Sequence, residues 1–277
     1  MISYHDITDA LKHLGLERKT PLIAHINPSI RVHIKGGTAS LMGALLSNID
    51  NLMLPAFTFS TMVVPEDGPE NNNLEYGKNS DENLNAVIFS HSLPSETGNQ
   101  AEIDVLKEYS GSYRSNHPIF SFYGLGLDIA LLDHSPQKPY QPIEKLMRMG
   151  GWVGLFGVEA DRNFSIHYAE YLAGRKQFLR WALTPNGITE CPSFPGCSDG
   201  FHKLNYYLQD ELKEIALENT TFYAVPLTTL INSAVALIKE DPFALLCNNL
   251  HCTRCNFVRT AIKAQISNHW KPESRDD

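Results

Sequence analysis

The chain has no cysteine in its first 190 residues and five beyond them, at Cys191, Cys197, Cys247, Cys252 and Cys255. It is therefore not a disulfide-stapled miniature, and its 277 residues suffice to bury a core unaided. Basic residues are scarce, with 23 Lys+Arg against 31 Asp+Glu, so 23 − 31 = −8. The basic footprint that nucleic-acid binding requires is missing, and no nucleic-acid partner is expected. Long apolar runs are missing as well. Leu41–Ile49 and Leu227–Ile238 are broken by polar residues and fall short of the roughly 20 residues a spanning helix needs. The opening segment carries Asp6 and Asp9 and lacks the basic start and apolar run of a signal peptide. The expectation is a cytoplasmic, reducing location with no membrane partner. Neither G-x-G-x-x-G nor a G-K-[ST] phosphate loop is present, which leaves dinucleotide binding and nucleotide hydrolysis without support.

What is present is an ordinary globular composition, 43% hydrophobic and 19% charged. Apolar positions at Ile7, Ala10, Leu11 and Leu14 have helical spacing, stopped by Gly15. Pro21–Ile26 reads as a buried strand, Gly36-Gly37 as a turn, Thr38–Ile49 as a helix and Asn51–Pro55 as a second strand. That order predicts an α/β layer architecture. Residues 61–102 are polar and turn-rich, read either as a long surface excursion or as a mobile loop over a site. Helices are predicted over Glu102–Tyr109, Pro142–Met149, Phe201–Leu217 and Thr228–Ile238, and a central strand over Trp152–Val158. Neither an internal repeat nor an interdomain linker is visible. The reading is a single domain over residues 1–270, with a Cys-containing C-terminal part at 185–265 and a charged, frayed tail at 271–277.

Three segments are candidates for chemistry. His167 and Glu170 follow the central strand and lie three positions apart, on one face of a predicted helix. A carboxylate beside an imidazole fixes its tautomer and raises its basicity, which makes a general base; the bland alternative is a solvated pair. Arg114-Ser115-Asn116-His117-Pro118 with Ser121 offers donors for phosphate oxygens, or is a turn set by Asn116 and Pro118. His25 at a strand end, followed by Gly36-Gly37 at a helix start, offers backbone N–H groups to an anion.

Together these segments resemble the aminoglycoside 3-N-acetyltransferase family, also called the antibiotic N-acetyltransferase fold. The residues carrying the resemblance are Leu22–His25 with Gly36-Gly37, Leu54-Pro55-Ala56-Phe57-Thr58, Arg114-Ser115-Asn116-His117-Pro118-Ile119-Phe120-Ser121, and Phe156-Gly157-Val158 with Asn163, His167, Ala169 and Glu170. Order and spacing agree over about residues 5–180. The resemblance implies a three-layer α/β/α sandwich with a mixed central sheet. It implies transfer of an acetyl group from acetyl-CoA to a small-molecule amine, directly in a ternary complex, with His167 taking the amine proton and Glu170 orienting His167 or the amine. His25, Gly36, Gly37, Arg114, Ser115, His117 and Ser121 would hold CoA and its thioester. The acceptor class would be an aminoglycoside or another amino-bearing small molecule, which makes antibiotic resistance the expected biological role. Ile26-Asn27-Pro28 replaces the family's Ser-Ser, and Asn163-Phe164-Ser165 replaces its Asn-Thr-Thr. Those departures motivate a second reading, a CoA- or ligand-binding paralogue with little or no catalysis.

The cysteines form a separate signal. Cys252-Thr253-Arg254-Cys255 is a C-x-x-C knuckle, and Cys191 and Cys197 flank a Pro/Gly turn. Two such pieces suit a structural zinc ion held by four thiolates, with free buried thiols and redox roles as alternatives. The expected ligands are Cys191, Cys197, Cys252 and Cys255, because Cys247 ends the apolar run Ala244-Leu245-Leu246 and reads as core; His251 is a further competitor. Oligomeric state is not legible.

Overall fold

The computed structural model describes residues 1–77, 81–208 and 210–269. The expectation for the 271–277 tail lies outside them. Ten strands are present among the described residues: β1 (Leu22–Ile26), β2 (Leu52–Pro55), β3 (Met62–Val63), β4 (Ser112–Arg114), β5 (Phe122–Leu125), β6 (Trp152–Phe156), β7 (Phe178–Thr184), β8 (Gly187–Phe194), β9 (Lys213–Leu217) and β10 (Thr220–Pro226). Seven form one sheet in the order β4-β5-β2-β1-β6-β10-β9. At its centre β1 runs parallel to β2 and β6, and the flanking strands are antiparallel, so the sheet is mixed as expected.

All five residues of β1 are buried because helices cover both faces. Side chains alternate between those faces. Leu22, Ala24 and Ile26 join one apolar cluster with the helices Tyr4–His13, Gly37–Asn48 and Gln100–Lys107. Ile23, Val153 and Leu155 join another with the helices Gln141–Arg148, Ser165–Leu172 and Leu227–Glu240. This is the three-layer sandwich.

The C-terminal part departs from the sequence expectation. Phe201–Leu217 is not one helix: a 3-10 helix covers Phe201–Leu208, and Lys213–Leu217 is edge strand β9. β9 turns through Glu218, in the left-handed region at φ 49°, and pairs with β10. Tertiary pairing overrides the local helical pattern there. β7 and β8 form a hairpin around Pro185-Asn186 and, with β3, a second, three-stranded sheet. The 61–102 segment supplies β3 and the helix Asp81–Asn85 before it reaches the site. No helix among the described residues is long and apolar enough to cross a membrane.

Candidate active site

The site lies beyond the carboxyl ends of β1, β2 and β6, the position that open α/β sheets offer to ligands. Asn27 fastens two of these ends together. Its Nδ2 donates to the Gly157 carbonyl at 2.8 Å, and its Oδ1 accepts from the Ser29 N–H at 3.0 Å. Gly157 sits at φ 68°, and a Cβ there would come within 2.3 Å of Ile30, so the turn after β6 requires glycine. Asn27, one of the departures noted above, is thus a brace.

His167 stands in the first turn of the helix Ser165–Leu172 and is 6% exposed. Its Nδ1–H donates to Glu170 Oε2 at 2.7 Å. Glu170 Oε1 accepts from Arg175 Nη1 at 2.7 Å, and Arg175 also donates to the carbonyls of Pro242 and Ala244 at 2.8 and 2.7 Å. Burial alone would push the Glu170 carboxyl up. The hydrogen bond from His167 and the charges of His167 and Arg175 outweigh it and hold the carboxyl below its ordinary value. The result is a buried Arg–Glu–His relay in which Nδ1 is committed to carboxylate, while Nε2 makes no hydrogen bond among the described residues. Arg175 escaped sequence reasoning. It lies beyond the helix end, past Gly174 at φ 75°, and reaches back.

Two cavities meet at His167. The first, about 650 Å³, is bordered by His25, Asn27 and Pro28 after β1, by Glu96–Asn99, and by Gly157–Glu159. The second, about 460 Å³, is bordered by Phe120, Phe194, Asp199, Asn249, His251 and Arg254. Phe57, Phe59, Phe164, His167 and Ser198 belong to both. The 61–102 excursion therefore does contribute to the site, through Glu96–Asn99. Phe164 packs on Phe57 and Phe120 with ring centres 4.8 and 4.9 Å apart, which makes the second departure part of an aromatic partition between the cavities.

The remaining predicted ligands fall into two groups. His25 borders the first cavity, is 6% exposed, and is held neutral by burial, which drops its pKa to about 3. Gly36 and Gly37 shape the start of the helix Gly37–Asn48 at φ 88° and 55° and border neither cavity. Arg114, Ser115, His117 and Ser121 are buried and occupied internally. Arg114 donates to Ser121 Oγ at 3.0 Å and to the Ala56 carbonyl at 2.7 Å, and Ser121 Oγ donates to that same carbonyl at 2.7 Å. Ser115 Oγ accepts from the Phe122 N–H at 2.8 Å, and His117 Nδ1 accepts from the Ile119 and Phe120 N–H groups at 3.1 and 3.0 Å. The motif fixes Phe57 and Phe120 from behind and presents no free donor to the cavities.

The thiol set needs one correction. Cys197, Cys247, Cys252 and Cys255 come together, all sulfurs within 4.8 Å of one another. Cys191 is not among them. It sits on β8, 1% exposed in the core, where burial pushes its thiol up to about 12. Cys247 is buried with Leu245 and Leu246, as the apolar run predicted, and still joins the cluster, with Leu245 at φ 62° two residues before it.

The sequence profile of the aminoglycoside 3-N-acetyltransferase family matches residues 25–239. Aminoglycoside N(3)-acetyltransferase IX of Micromonospora chalcea is 29% identical over 181 residues, 61% of this chain and 60% of that protein. The SPbeta prophage-derived aminoglycoside N(3')-acetyltransferase-like protein YokD of Bacillus subtilis (strain 168) is 25% identical over 179 residues, 60% of this chain and 63% of its own. The chain thus spans about three fifths of the length of these curated relatives. Among solved structures, the apoenzyme of aminoglycoside acetyltransferase AAC(3)-IVa superposes with a TM-score of 0.73 at 17% identity, covering 94% of this chain and 98% of that one. AAC-IIIb with CoASH superposes with a TM-score of 0.67 at 17% identity, covering 86% and 96%. With a profile match running from β1 through the helix Leu227–Glu240, and with the three-layer sandwich that the family resemblance implied, this chain belongs to the aminoglycoside 3-N-acetyltransferase family.

Proposed function

We propose that the protein transfers the acetyl group of acetyl-CoA to an amine of an aminoglycoside or related amino sugar. The observation that carries this is His167 on the wall shared by two cavities, with Nδ1 bound to Glu170 at 2.7 Å. One cavity can receive the thioester and the other the amine, and they meet at one base. We assign the donor to the first cavity and the acceptor to the second. The second combines aromatic faces, which attract ammonium groups, with Asp199, Asn249 and His251 as sugar-binding polar groups. Family relatives support both ligands: AAC-IIIb has been solved with CoASH, and an AAC(3)-IVa mutant with a gentamicin.

In the reaction, the amine nitrogen attacks the thioester carbon as Nε2 of His167 takes its proton. Glu170 stabilises the imidazolium that forms, and Arg175 keeps Glu170 ionised. The C–S bond then breaks, and the CoA sulfur leaves with the proton returned from His167. The products are an acetamide and free thiol, with no acyl-enzyme. We place this activity in the cytoplasm, where acetyl-CoA is available. We add a structural zinc ion at the thiol cluster.

The test is incubation with acetyl-CoA and a panel of aminoglycosides, following thiol release and the mass of the acceptor. One added acetyl group per thiol released is expected. Tight CoA binding with no amine turnover would instead favour a binding paralogue, a reading motivated by Phe164 in place of a hydroxyl residue.

A further inference from the structure

We propose that Cys197, Cys247, Cys252 and Cys255 are the four ligands of a zinc ion that holds in place the acceptor-recognising wall of the second cavity. The second half of this rests on the acceptor assignment made above.

The geometry suits the ion. Zn–S bonds of about 2.3 Å in a tetrahedron separate the sulfurs by about 3.8 Å. The four sulfurs already lie within 4.8 Å of one another, so each need move by less than about 1 Å. Four soft thiolates select zinc over hard cations. The chain bends to bring them together: Leu245 takes the left-handed conformation two residues before Cys247, which is costly for a side chain with a Cβ. Gly200 lets the turn after Cys197 press against that bend, since a Cβ there would lie 2.3 Å from the Leu245 carbonyl oxygen.

Charge is an independent indication. A zinc ion with four thiolates carries a net charge of −2. Three cations are fixed on backbone carbonyls at or beside its ligands. Arg259 donates to the Cys247 carbonyl, Lys203 to the Leu246 carbonyl at 2.7 Å, and Arg254 to the Gly196 carbonyl at 3.4 Å. None of the three makes an ion pair with a carboxylate among the described residues. They are placed to offset the charge of an occupied site.

The consequence is local. Four protein ligands leave no coordination position for substrate, so the ion is structural. Ser198, Asp199, Asn249, His251, Thr253 and Arg254 all border the second cavity, and each lies within two residues of a ligand. The ion joins a turn after β8 to the start of the helix Thr253–His269, and so fixes Asp199 relative to His251. Substrate recognition then depends on the metal, whereas the Arg–Glu–His relay does not.

Protein purified without added metal should contain about one zinc per chain by elemental analysis. Cys247→Ser should lose it and Cys191→Ala should keep it. Absence of zinc, iron in its place, an intact mass four hydrogens low from two disulfides, or the opposite response of these variants would overturn the site. Should Cys247→Ser fail to fold, cobalt(II) added to the chelated wild type should give sulfur-to-cobalt charge-transfer bands, and their absence would overturn it equally. Chelation should weaken gentamicin binding by calorimetry at least about tenfold, reversibly on zinc addition, while CoA binding and the circular dichroism spectrum persist. Equal gentamicin affinity with and without zinc would overturn the wall. If gentamicin bound neither form, the acceptor assignment would fall while the zinc stoichiometry stood.

Discussion

Replacing Arg175 by methionine isolates the buried charge that the site depends on. Arg175 and Glu170 each have 2% side-chain exposure, and the guanidinium also serves the carbonyls of Pro242 and Ala244. Arg175→Met keeps the stem but leaves a buried carboxylate with His167 as its remaining partner. Breaking a buried pair in this way costs about 3–5 kcal/mol. At about 2 °C per kcal/mol for a chain of this length, the melting temperature should fall by about 6–10 °C. The loss should depend on pH, with a definite sign. In the wild type the Glu170 carboxyl lies below its ordinary value because its partners outweigh burial. Its ionisation therefore adds stability above the unfolded pKa of about 4.3, and that stability is lost as pH falls through the lower folded value. In the variant the Arg175 contribution is gone while burial and the His167 hydrogen bond remain, so the folded value rises. Ionisation then adds less stability above the unfolded value of about 4.3 than it does in the wild type. Urea unfolding should accordingly show a gap of several kcal/mol between the two proteins near pH 7.5 that narrows as pH falls below about 4.3. A gap that does not narrow below about pH 4.3, or one below about 1 kcal/mol at neutral pH, would refute the relay as the charge-holding element.

Asn27→Ala removes the link from Asn27 to the Gly157 carbonyl and the cap on Ser29. It should cost about 1–2 kcal/mol in urea unfolding and raise the KM for acetyl-CoA more than it lowers kcat. Phe164→Thr restores the family's hydroxyl but empties an aromatic position packed on Phe57 and Phe120. A stability loss of about 3 kcal/mol or more is expected, with no gain in kcat, as read by calorimetry and thiol release. Gly157→Ala would place a Cβ within 2.3 Å of Ile30 in a left-handed turn. It should lower the melting temperature by several degrees, and an unchanged melting curve would contradict the close approach.

The helix Ser165–Leu172 and its His167–Glu170 face were legible in the sequence because a three-residue spacing states a shared face directly. Arg175 was not, because no periodicity links it to Glu170 once the helix has ended at Gly174. The central strands read correctly because they are short apolar runs bounded by turns. β9 did not, since its pairing with β10 is set by the neighbouring strand and not by its own pattern. The thiol cluster was half legible. The C-x-x-C knuckle identified Cys252 and Cys255, but choosing between Cys191 and Cys247 depended on a backbone bend at Leu245 that no local signal announces. The Arg114–Ser121 motif read either as a set of phosphate donors or as a turn, and its side chains face inward and support Phe57 and Phe120.

The central claim is that His167 is the base for acetyl transfer to an amine. It is tested most directly by kcat for thiol release from acetyl-CoA with a saturating aminoglycoside, in the wild type and in His167→Ala. The account predicts turnover by the wild type. In the variant kcat should fall by about a hundredfold or more, with CoA affinity by calorimetry within about twofold of the wild type. Turnover in the variant within about threefold of the wild type would contradict it, as would a wild type that binds CoA and acetylates no amine in the panel.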